Sequence, residues 1–287
     1  MLVPALLALA ASASFAGAGI FLRRAVRWVA PPTAALLSVT FTTVFVWGVT
    51  AATVPLGRLA APHVGYFLVA GLFAPGLARL VYYLGIPRVG VARSTALIST
   101  SPLFAVALAI VALGERPGPL VLTGVACVGA GGALLAYRGR EERSWRRRDL
   151  ILPLLAALGF ALRDIVSRRG LIEYPEPMIA AAAATFASLV LMWALAALRI
   201  MPFARPAMAG LGFLTLSSVC ECMAYLAMWR AMSAAEVSFV SPLVHAQPLF
   251  TLVLAALFLR DIERVTFKVV AASLLIVAGV FFVLSFT

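Results

Sequence analysis

A chain of 287 residues that is 63% hydrophobic and only 12% charged, with a mean hydropathy of +1.06, has too little polar surface to cover a globule in water. That excludes the soluble classes, and the net charge of +12 does not mark a nucleic-acid binder, because the cations cluster at the ends of apolar runs, where they set topology. The lipid interior admits only helices or closed barrels, and apolar runs without alternating polarity select helices.

A helix needs about 20 apolar residues to cross the bilayer core. Read between polar and proline-marked breaks, the sequence predicts ten such spans: 2–22, 33–55, 64–86, 89–113 and 118–137, then 150–170, 177–199, 207–230, 235–259 and 265–286. The first run has no positive stretch ahead of it, so it reads as a span and not as a signal peptide. Residues 138–149, RGREERSWRRRD, form the longest polar segment, a basic linker between halves 1–137 and 150–287. Cys127, Cys220 and Cys222 lie inside apolar runs, where thiols act as small hydrophobes. No metal or cofactor motif accompanies them.

The halves resemble each other. Ser101-Pro102-Leu103-Phe104 matches Gln247-Pro248-Leu249-Phe250 at an offset of 146 residues, and Thr40-Phe41 matches Thr185-Phe186 at 145. Arg23-Arg24 and Arg168-Arg169 repeat at 145, and Glu115 and Glu263 each stand fifteen residues before an Ala-Gly pair, at 148. Five spans per copy is an odd number, so the second copy enters the membrane from the opposite side. The expected fold is therefore an all-α integral membrane protein with ten transmembrane helices in two inverted five-helix repeats, an architecture common among secondary transporters.

Fifteen Lys and Arg residues fall at the ends shared with the linker and five at the other ends. The positive-inside rule then puts the linker in the cytoplasm and both termini outside. The absence of any long soluble domain suits a bacterial inner membrane, and the excess of arginine over lysine fits a GC-rich genome. The linker arginines also suit anionic lipid headgroups, which agrees with the same placement.

With the LGER of 113–116 answered by the IERVT of 262–266, the chain resembles EamA-type members of the drug/metabolite transporter superfamily over essentially its whole length. The matching marks are Pro102 and Pro248 within the fourth and ninth spans, and Glu115 and Glu263 at their exits. The resemblance implies a ten-helix secondary carrier for small organic solutes, often an exporter of amino acids, metabolites or toxic compounds. It also implies a central cavity lined by spans 3, 4, 8 and 9 and the start of each half. Members of this type are often described with cytoplasmic termini, whereas the charge count here gives the reverse.

Of eleven carboxylates, Asp164 and Glu221 are the two set well inside spans. An ionisable group at that depth faces the bundle interior or a wet cavity. Tyr225 and Trp229 follow Glu221 at i+4 and i+8, and Pro75, Arg79 and Tyr83 form the same stripe at the equivalent place in span 3. Glu221 and Arg79 can thus hold a zwitterion or a cation, with Glu221 accepting a proton, or they can form an ion pair that locks the halves. Asp164 can act as a second coupling carboxylate, or pair locally with Arg168 one turn on. His245 can join a proton relay or bond a neighbouring helix. Pro102 and Pro248 should bend their helices and free the carbonyls of Ile98 and Val244. Those groups, with Ser99, Ser101 and Gln247, would suit a polar cavity wall.

No P-loop, HExxH motif or nucleophile elbow is present, so the sequence predicts neither ATP drive nor an enzyme. The expected partners are a small organic solute, the lipid bilayer and protons. A toxic-cation efflux carrier and a non-transporting membrane scaffold are the competing readings.

Overall fold

The computed structural model describes residues 1–89, 97–136, 147–258 and 267–285. Within these the protein is helical, with no strand. The first half comprises α1 (Leu2–Ala25), α2 (Pro31–Thr53), α3 (Val64–Gly71), α4 (Ala78–Val89), α5 (Ser101–Leu108) and α6 (Pro119–Ala136). The second comprises α7 (Ile151–Glu173), α8 (Pro177–Ala197), α9 (Met208–Ala234), α10 (Val237–Val244), α11 (Gln247–Phe258) and α12 (Phe267–Leu284). Among the described residues six helical stretches are long and apolar enough to cross a membrane: 2–25, 31–53, 64–82, 148–173, 177–197 and 208–234. Glu263 and 138–146 of the linker lie outside the described residues, as do the side chains of Tyr83 and Pro248.

Six of the predicted spans form long apolar helical stretches among the described residues, and some stretches are broken. Residues 72–77 join α3 to α4 through a wider π-helical turn, within which Ala74 leaves helical geometry (φ −152°, ψ 136°) just before Pro75. A proline interrupts a helix there because it lacks the N–H and crowds the preceding turn. The expectation that Pro102 and Pro248 bend continuous helices is corrected. Pro102 stands in the first turn of α5, and α10 stops at Val244 before Gln247-Pro248 open α11. At a first turn the missing N–H costs nothing, so these prolines start helices.

The helices of the two halves cross-pack. α1 runs along α9, and α7 runs along α3 and α4; α2 meets α8, and α6 meets α12. Between α2 and α8, Thr43 bonds the Thr185 carbonyl, Trp47 that of Ala182 and Thr50 that of Met178, so the two run antiparallel. α6 and α12 also run antiparallel and touch through backbone. A Cβ on Gly279 would come within 2.6 Å of the Gly124 carbonyl, and one on Gly131 within 2.7 Å of the Ala272 carbonyl. These two contacts exchange under a shift of 148 residues, which carries Gly124 to Ala272 and Gly131 to Gly279. Side chains larger than hydrogen would separate the helices here.

Gly17 lies against Cys220 and Gly159 against Ala78, two contacts that exchange under a shift of 142 residues. Small residues also bring α3 onto α8: Ala180 to Ala184 are all buried, and a Cβ on Gly71 would collide with the Ala184 carbonyl at 2.0 Å.

Candidate functional site

Two buried ion pairs lie in the middle of the helices, and each is satisfied by hydroxyls from other helices. Glu221 on α9 is 6% exposed. One carboxylate oxygen accepts a bond from Arg79 on α4 at 3.1 Å, and the other accepts from Ser38 (3.1 Å) and Thr42 (2.9 Å) on α2. A buried carboxylate needs this much compensation, since an unpaired charge at depth would neutralise. Three spans converge on one side chain.

The second pair is Arg163 with its neighbour Asp164 on α7, which are 3% and 0% exposed. The guanidinium donates twice to one carboxylate oxygen, at 2.9 and 2.6 Å, while Ser241 of α10 donates to the other at 3.0 Å. The expected Asp164 to Arg168 pairing is corrected. Adjacent side chains diverge on a helix, yet arginine is long enough to curl back, and burial leaves Arg163 no other anion. Arg168 instead donates to the carbonyls of Met232 (2.7 Å) and Ser233 (3.2 Å), capping the end of α9.

Tyr225 stands near both pairs: it lies one turn beyond Glu221 and is close enough to Arg79, Glu221 and Arg163 to feel their charges. Phe15 of α1 packs edge-on against its ring at 5.4 Å. His245 extends the chain of polar groups: its Nδ1 donates to the Ser241 carbonyl at 2.8 Å and lies 3.4 Å from the Ser241 hydroxyl. The line from Ser38 and Thr42 through Glu221, Arg79, Tyr225, Arg163, Asp164 and Ser241 to His245 crosses five spans.

Other sequence-predicted residues do not join it. Trp229 is fully buried in the apolar core against Phe67, with ring centroids 5.7 Å apart. Ser101 bonds the Ala157 carbonyl at 2.9 Å, and Gln247 bonds that of Phe15 at 3.2 Å. These carbonyls are also 142 residues apart, and Ser101 and Gln247 each tie neighbouring helices together. Ser99 packs against Gly132 on α6. Glu115, the family mark, accepts backbone N–H bonds from Val237 (2.8 Å) and Ser238 (2.9 Å) at the start of α10. An apolar cleft of about 340 Å³, lined by residues including Leu80, Leu84, Arg88 and Met192, opens beside α4 away from both ion pairs.

Sequence reasoning missed Ser38, Thr42 and Ser241 as partners of the carboxylates. The signal was faint: hydroxyls four residues apart on α2, and one four residues before His245.

Three comparisons bear on this arrangement. The model of the EamA-like transporter family matches residues 2–137 and again 148–285, once for each half. Comparison with curated proteins finds no match. A crystal structure shares the fold with a TM-score of 0.82, at 17% identity, over 97% of this chain and 95% of the other.

Proposed function

The chain belongs to the EamA-like transporter family, a family of multi-pass membrane transporters and not of enzymes, and from that premise we propose that it is a secondary carrier of small organic zwitterions. Amino acids and metabolites of similar size are the class that fits. The observation that carries this reading is the Glu221 site, where a carboxylate and a guanidinium from opposite halves meet inside the helices. A solute with its own carboxylate and ammonium can replace their contact and leave no buried charge unpaired. A net cation would offer Arg79 no carboxylate in exchange for Glu221, which disfavours the toxic-cation alternative.

The antiparallel runs of α2 against α8 and α6 against α12 support ten spans in two inverted repeats. Alternating access then follows from exchange between two nearly equivalent arrangements of the halves. Glu221 is the coupling carboxylate in this reading: with a proton it releases Arg79, and without one it recovers it. The proposed setting is a bacterial inner membrane, with the linker cytoplasmic, both termini outside and export as the net direction.

The test is counterflow in proteoliposomes across a panel of zwitterionic, cationic and anionic metabolites under an imposed pH gradient. Wild type should accumulate a zwitterion, and Glu221→Gln should exchange it without responding to the gradient. Movement of cations alone would favour the efflux reading. No movement of any solute by monodisperse protein would favour the scaffold.

A further inference from the structure

We infer that Glu115 is the latch of a gate: its carboxylate holds the buried start of α10, and its release opens that end of the path to Asp164, Ser241 and His245. The inference rests on the carrier reading above.

Glu115 follows Gly114, which takes a left-handed conformation (φ +69°) and stops the helical stretch begun at α5. The turn delivers a carboxylate inward, and although it stands at a helix end the residue is only 8% exposed. Its two oxygens each take one of the first N–H groups of α10. Those donors have no partner within their own helix, and a negative charge is favoured at that terminus. Arg168 of α7 lies close enough to Glu115 and Glu236 to interact electrostatically while it caps α9. Four spans are joined at this one end.

What the latch holds is a separable piece. α10 is eight residues long, every one of them buried, and it touches α1, α5, α6, α7, α9 and α12. At its far end a two-residue turn, 245–246, separates it from α11. Asp164 meets α10 through Ser241, so a swing of this short rod withdraws Ser241 from the second ion pair. Breaking the latch exposes a carboxylate and two N–H groups that water solvates well, which makes the contact reversible. A latch built from apolar packing would lack that property.

The experiment uses full-length protein with Cys127, Cys220 and Cys222 replaced by alanine. Glu115→Cys and Ser238→Cys are joined by a short reducible thiosulfonate cross-linker in proteoliposomes. Solute exchange should be lost on cross-linking and return on reduction. Exchange at the same rate in both states would overturn the latch. Where the double variant fails to exchange even when reduced, labelling of Ser238→Cys by a membrane-impermeant thiol reagent decides, because Ser238 is 1% exposed. Adding Glu115→Gln should speed that labelling, and an unchanged rate would overturn the inference. Failure of the cysteine-free parent to move any solute would count against the carrier reading, while the labelling rates still judge the latch.

Discussion

The two buried ion pairs use the same chemistry but differ in what holds them together. Arg163 and Asp164 are neighbours on α7, so no rigid movement of helices can part them. Arg79 and Glu221 belong to α4 and α9, in different halves, and are joined only by side chains. The first pair is a fixed neutral dipole that travels with its helix. The second can open whenever the halves shift. The proposed carrier needs one separable contact at its centre, and this contrast favours Glu221 over Asp164 for that role.

Four substitutions test the contrast. Asp164→Leu leaves Arg163 buried with no counter-charge and should destabilise the protein most, by about 4 to 5 kcal/mol, measured by thermal unfolding in detergent. A loss as small as that of a surface change would mean Arg163 reaches water, and the pair is not fixed. Glu221→Leu should cost less, about 2 to 3 kcal/mol, because the Arg79 side chain is already 16% exposed and can be hydrated. Adding Arg79→Leu should recover most of that stability without restoring transport. Additive losses in the double variant would show that the two residues are not coupled. Thr42→Val, which removes one of three donors to Glu221, should have the smallest effect, about 1 kcal/mol, by the same thermal unfolding. A loss as large as that of Glu221→Leu would mean that Thr42 carries more than this one bond.

The spans were readable because lipid forces every backbone group into helix, leaving hydropathy little freedom. Their breaks were less so: Pro75 and the 245–246 interruption depend on how neighbouring helices accommodate an unbonded carbonyl. The Glu221 and Arg79 partnership could be anticipated because the repeat sets them at equivalent places. Ser38 and Thr42 could not, since α2 is apolar on most sides and its rotation is fixed by packing against α8 and α9. For Asp164 helical spacing points to the i+4 partner Arg168, whereas burial favours the adjacent Arg163. Glu115 stood out as a mark of the repeat, but its partners lie more than a hundred residues on, beyond the reach of any local pattern.

The exchanged contacts of α6 with α12 have the form of an isologous interface, the kind two identical subunits make about a two-fold axis. In such a dimer a residue lying on the axis meets its own copy. Arg79 and Glu221 are equivalent positions that touch each other, so in a pair of identical chains the same place would hold two guanidiniums or two carboxylates, repelling at close range. Joining the halves in one polypeptide lifts that restriction. The fused chain can put opposite charges where its two halves meet, and the asymmetry of that contact is available only because the two halves are free to differ.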